Sequence, residues 1–164
     1  MATVDDLLFA LTLFAALGCG LIAGVFFAFS AFVMKALGRL PSADGIAAMQ
    51  SVNIAIINPV FLAAFLGTAA ACVLAIISSL LRWHDPSAVY LLFGSLLYLV
   101  GSFLVTIAFN VPKNDALAEI APTNPNSASL WAGYLTSWTA WNHIRTVAAL
   151  AAATSFTIAL SYTD

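Results

Sequence analysis

The chain has 164 residues, 63% of them hydrophobic and 7% charged, with a formal net charge of −2. Soluble domains carry roughly 25% charged residues, and the apolar residues here come in long blocks, which is the pattern of a membrane protein with room for a single domain, residues 1–164. The slightly negative balance gives no footprint for nucleic acid, and no polybasic run offers a patch for anionic lipid.

The first apolar block covers residues 7–34. It exceeds the roughly 20 residues that cross a bilayer core, so its helix is expected to tilt or project. Asp5 and Asp6 suit its N-terminal dipole. They also replace the basic start of a signal peptide, and the block is too long for one, so it reads as a retained helix. Lys35 and Arg39 close it. Gly20 and Gly24 form a small-xxx-small step expected to admit a neighbouring helix. Cys19 and Cys72 lie within apolar blocks and read as buried free thiols, with no cysteine-based zinc motif.

Pro41, Ser42 and Asp44 make a short connection in which Ser42 or Asp44 can cap the next helix. That helix begins amphipathic with Gln50 and Asn53 on one face and is apolar over residues 55–81. The Asn58-Pro59 step should kink it. Ala63, Gly67 and Ala71 form a second small-residue stripe. Residues 82–87 read as a turn with Pro86 as breaker, and His84 beside Asp85 as solvated. A third block, residues 88–109, leads into Asn110-Val-Pro-Lys-Asn114, where Pro112 is expected to end the helix at Val111. Residues 115–126, with Pro122, Asn124 and Pro125, read as a loop. From about Ser127 a helix carries Trp131, Tyr134, Trp138, Trp141, Asn142 and Arg145 at three- and four-residue steps and runs into the last apolar block. The fold class is therefore all-α: an integral membrane bundle of four transmembrane helices, at about 7–34, 55–81, 88–109 and 145–162, with a polar and aromatic loop-helix segment before the fourth. Lys35, Arg39, Lys113 and Arg145 outweigh Arg82 across the membrane. By the positive-inside rule the termini lie outside, in what reads as a bacterial inner membrane.

Polar residues inside apolar segments need a reason. Three groups fall on one membrane side: Gln50, Asn53 and Asn58; Asn110, Lys113 and Asn114; and Trp138, Asn142, His143 and Arg145. Their convergence points to one shared pocket. Blander readings stand beside it: an interfacial aromatic belt, Asn58 repairing the backbone at Pro59, Asn110 and Asn114 capping a helix end, Arg145 snorkelling to headgroups, and His143 as an interfacial residue. His143 and His84 belong to opposite sides and cannot share an ion. No metal set, second haem ligand, nucleophilic triad or phosphate loop stands out, and a bound metal or haem is left open.

The stretch Trp131-x-x-Tyr134-x-x-x-Trp138-Thr139-x-Trp141-Asn142-His143-x-Arg145-Thr146 resembles the small four-span membrane proteins grouped as anthrone-oxygenase-like, many bacterial members of which are catalogued only as a domain of unknown function. Asn110-Val-Pro-Lys-Asn114 and the Asn58-Pro59 step extend the resemblance over most of the chain. It implies an oxidation by O₂ of a hydrophobic aromatic substrate with no cofactor, as fungal members resemble enzymes that turn anthrones into anthraquinones. Such chemistry needs a base, a donor for a developing oxyanion and a dry aromatic slot. His143 is the candidate base, and Arg145 and Asn142 are candidate oxyanion donors. Tyr134, Trp138 and Trp141 are candidates to flank the substrate, with Asn53, Asn58, Asn110 and Asn114 completing its hydrogen bonds. The partners expected are the lipid bilayer and a hydrophobic small molecule entering from it, with homo-oligomers permitted by the Gly and Ala stripes. The competing readings are a non-catalytic membrane protein that binds a lipid or small molecule or scaffolds a partner, and a transporter.

Overall fold

The structure is a computed structural model and describes residues 3–121 and 124–162. Among the described residues it is helical without strands. Four helices are long and apolar enough to cross a membrane: α1 (Val4–Leu37), α3 (Pro59–Leu81), α4 (Ala88–Ala118) and α5 (Ser127–Leu160). A short helix, α2 (Ser42–Ala55), lies between the first two spans. Between 28% and 44% of the most apolar window of each span is buried. The rest, including Leu17, Leu21, Val60 and Leu81, is exposed apolar surface suited to lipid.

Local chemistry sets the helix ends. Thr3 and Asp6 form a reciprocal capping box at the start of α1, with Thr3 Oγ1 accepting from the Asp6 amide at 3.1 Å and Asp6 Oδ2 from the Thr3 amide at 2.8 Å. At α2 the capping position is Pro41, with no side-chain cap bond, so the expected Ser42 or Asp44 cap is not made. The second helix is not kinked but divided. Asn58 accepts from the amides of Val60 and Phe61 at 3.1 and 3.0 Å, and Pro59 occupies the first turn of α3. A missing N–H costs nothing there.

The third span departs from expectation in the opposite sense. It does not stop before Pro112 but continues to Ala118, so residues 115–118 are helix and not loop. The reason lies upstream, in wide π-helical turns at Leu97–Leu104 and Thr106–Asn110. The Val111 amide bonds the Thr106 carbonyl, five residues back, so the ladder is already in wide register where the proline follows. Another wide turn, Phe29–Val33, interrupts α1. Of the expected loop, Asn124 and Asn126 form a turn in which Asn124 Oδ1 accepts from the Asn126 amide at 2.8 Å, while Pro122 lies outside the described residues.

At ~1.5 Å per residue α5 is ~50 Å long, well beyond a ~30 Å hydrocarbon core. It packs against α1 and α4 along its length and divides the interior into two cores. The larger gathers Cys19, Ile22, Phe26, Phe65, Tyr98 and Phe156. The smaller is an aromatic cap of Met34, Ile46, Met49, Leu117, Trp131, Tyr134 and Trp138, closed over by α2. Asp5 and Arg82 pair at 2.7 Å at the far end, so the start of α1 and the α3–α4 turn lie together. Helix contact is closest at other glycines than expected. A methyl group added at Gly101 would stand 2.6 Å from Ala148 Cβ, and one at Gly18 would collide with Thr68, whereas Gly20 and Gly24 face open space.

Candidate functional site

One face of α5 carries Trp131, Tyr134, Trp138, Asn142 and Arg145 inward, at the spacing that puts residues one or two turns apart in line. Asn142 is fully buried and joins three elements. Its Nδ2 donates to the Phe26 carbonyl at 2.8 Å and to Ser30 Oγ at 2.7 Å, and its Oδ1 accepts from Arg145 Nε at 2.9 Å. Ser30 belongs to the wide turn of α1. Thr146 Oγ1 closes the ring, donating to the Asn142 carbonyl at 2.6 Å and lying 3.2 Å from Ser30 Oγ.

Arg145 is 6% exposed and does not snorkel. Its Nη1 donates to Thr106 Oγ1 at 3.2 Å, in the second wide turn of α4. The guanidinium lies between two rings, 3.9 Å from the Phe26 centroid and 4.9 Å from that of Trp138. Among the described residues the ion pairs are those of Arg82, and no carboxylate lies within pairing distance of Arg145. A buried cation without a counter-charge is costly in an apolar interior. Its hydrogen bonds to the described residues are these two, from Nε and Nη1.

Above the guanidinium the cap is tied by a single oxygen. Asn114 Oδ1 accepts from Trp138 Nε1 at 2.8 Å and from the Tyr134 hydroxyl at 2.9 Å. Asn110 Nδ2 donates to the Trp138 carbonyl at 3.2 Å, while its Oδ1 is buried without a partner. Trp131 Nε1 and Asn53 Nδ2 are likewise buried and unpaired, with Asn53 beside Tyr134. Gln50 donates to the Leu117 and Ile120 carbonyls at 2.8 and 3.0 Å, finishing α4 and holding α2 against it.

The structure thus brings together Asn110, Asn114, Tyr134, Trp138, Asn142 and Arg145, with Asn53 at the edge. It leaves three candidates apart. Asn58 spends its oxygen on capping α3 and its Nδ2 on the Ala55 carbonyl at 2.9 Å. Trp141 is half-buried and stacks on Phe109 with centroids 3.6 Å apart, off the inward face. His143 is exposed and makes no hydrogen bond with the described residues. Phe26, Ser30 and Thr106 belong to the site and were not singled out from sequence. Their only signal is a pair of hydroxyls within apolar spans. No group of three or more His, Cys, Asp or Glu side chains gathers among the described residues. Clefts of about 210 and 380 Å³ border Arg82 at the opposite end and do not reach this cluster.

The cluster gathers amide, hydroxyl and guanidinium groups among aromatic rings, with the Nδ2 donors of Asn142 and Asn110 already paired with protein. No curated protein and no solved structure matches the chain. The sequence model of the family described as anthrone oxygenase matches residues 55–155, a stretch that includes Asn110, Asn114, Tyr134, Trp138, Asn142 and Arg145. With well over half its length matched, the chain belongs to the anthrone oxygenase family.

Proposed function

We propose that the protein is a membrane-embedded oxygenase that converts the activated CH₂ of a flat aromatic ketone into a carbonyl with O₂. The observation that carries this reading is Arg145: a guanidinium buried between two aromatic rings, held by Asn142 and Thr106, with no carboxylate paired to it among the described residues. Loss of a proton from such a CH₂ places negative charge on the ketone oxygen. Arg145 is the donor for that oxyanion, and Asn142 aligns it. The carbanion form reduces O₂ and takes up a peroxide group at carbon. Protonation of the peroxide and loss of water then leave the new carbonyl, so CH₂ and O₂ become C=O and H₂O. The proton released at the start passes to solvent and is the one that the peroxide takes up, so none is gained or lost overall. His143 has no part in this reading, because its side chain lies off the face that holds Arg145.

With Arg145 assigned to the site, Lys35, Arg39 and Lys113 still outweigh Arg82 in the topology count. This supports termini outside and the two longer connections in the cytoplasm of a bacterial inner membrane. The test of function is O₂ uptake by detergent-purified protein with anthrone, against Arg145→Gln. Removing one oxyanion donor costs about 10²–10³ in turnover, and a loss of that size in a folded variant is expected. Equal uptake by both proteins, or none above the spontaneous rate, overturns the reading and favours a non-catalytic ligand-binding protein.

A further inference from the structure

The guanidinium of Arg145 lies on the seam between the two cores, and its two ring neighbours are held very differently. Phe26 belongs to the main core, is 4% exposed and packs edge-on against Phe65. Trp138 belongs to the aromatic cap, and its indole sits 1 Å farther from the guanidinium, at 4.9 Å against 3.9 Å. Rings and guanidinium form a column, from Trp131 on Tyr134, through Trp138 and Arg145, to Phe26. Of the guanidinium's two ring contacts, the looser is the one with Trp138. Among the described residues the indole's one hydrogen bond is Nε1–H to Asn114 Oδ1, and Tyr134 shares that acceptor.

From this geometry we infer that a flat aromatic ligand reaches Arg145 by parting it from the Trp138 indole, and that Asn114 is the positioning residue that sets how readily the indole yields. The inference rests on the proposed role of Arg145 as an oxyanion donor. It changes the part expected for Asn114, whose Oδ1 is occupied by two protein donors: Asn114 acts on the ligand through Trp138. The gap opens at the seam beneath the cap, beside the wide turns that carry Ser30 and Thr106.

The experiment is stopped-flow binding of a monohydroxyanthraquinone, whose absorbance reports ionisation, to purified protein in detergent. Asn114→Leu keeps the volume of the side chain and removes the acceptor. Two donors lose that acceptor, the Tyr134 hydroxyl and Trp138 Nε1, and loss of the indole's bond, one of ordinary strength, should raise both the association and dissociation rates about five- to tenfold. The Kd should change by less than about threefold, because both rates move together. Trp138→Phe keeps a ring and removes the donor. It should match Asn114→Leu, and the double variant should go no faster. Arg145→Gln should raise Kd while leaving association near the wild-type rate.

Unchanged rates in Asn114→Leu, with the wild type binding, overturn the inference and mean that the ligand reaches Arg145 by another path. Additive acceleration in the double variant also overturns it, since the two side chains would then act separately. Absence of binding by the wild type removes the oxyanion-site reading and this inference together, and it is told apart by appearing in every variant.

Discussion

Asn142 Oδ1 accepts from Arg145 Nε at 2.9 Å while the same amide's Nδ2 holds the Phe26 carbonyl at 2.8 Å. One uncharged side chain therefore fixes the direction of a buried cation and ties the fourth span to the first. Substituting Asn142 by Ala leaves both the carbonyl and the guanidinium short of a partner. The expected cost is about 1–3 kcal/mol of stability, read by thermal unfolding in detergent, together with weaker ligand binding. A variant that loses binding but keeps its Tm would place Asn142 in the site without a structural share.

Arg145 should show the reverse balance. A buried charge with no counter-ion among the described residues costs several kcal/mol, more than the about 1–3 kcal/mol of the Asn142 Oδ1 that an apolar replacement leaves without its donor. Arg145→Met is expected to keep or raise the Tm while turnover falls at least about 100-fold. A large fall in Tm would mean that the guanidinium is retained for packing.

His143 and Arg145 are two residues apart in sequence and differ sharply in setting, the first exposed and the second buried. His143→Ala should therefore change turnover by less than about twofold, since proton transfer requires a base within hydrogen-bond reach of the substrate. A loss of tenfold or more, measured across pH, would restore the histidine as the base.

The helix–helix contacts give a contrast within one fold. An added methyl at Gly101 meets Ala148 Cβ at 2.6 Å, and one at Gly20 meets nothing within 4 Å. Gly101→Ala should cost about 1–3 kcal/mol by overpacking. Gly20→Ala should be neutral or stabilise by up to about 1 kcal/mol through helix propensity. Equal effects at both positions would contradict the packing of α4 on α5.

The spans are legible in the sequence because apolar blocks of this length have few alternatives to crossing a bilayer. The inward face of α5 is legible for a similar reason: Trp131, Tyr134, Trp138, Asn142 and Arg145 keep the 3.6-residue period. The same period explains why His143 drops out, since at about 100° per residue it turns away from the line through Asn142 and Arg145. Other features have no signature at this level. A wide turn needs no special residue, yet it shifts the phase of everything after it. Ser30 and Thr106 therefore reach the site from blocks that read as uniformly apolar, and Pro112 sits in a helix that it would ordinarily end. Asn58-Pro59 reads as a kink and proves a helix start for a different reason: a proline that kinks one helix and a proline that begins another follow the same residue types, and only the hydrogen bonds of Asn58 separate them. Gly20 and Gly24 have the spacing of a contact stripe but face outward, since spacing does not say which side of a helix meets a neighbour.

The most direct measurement is the pKa of a bound ligand. A monohydroxyanthraquinone is titrated spectroscopically in the wild type and in Arg145→Gln, with the free dye in the same detergent as reference. A cation that favours the anion lowers the ligand's pKa, and each unit of that shift corresponds to about 1.4 kcal/mol. The account predicts a pKa at least about one unit below the free value in the wild type, with the shift lost in Arg145→Gln. A bound pKa at or above the free value in the wild type would contradict it, because a dry site that does not stabilise the anion holds the neutral form.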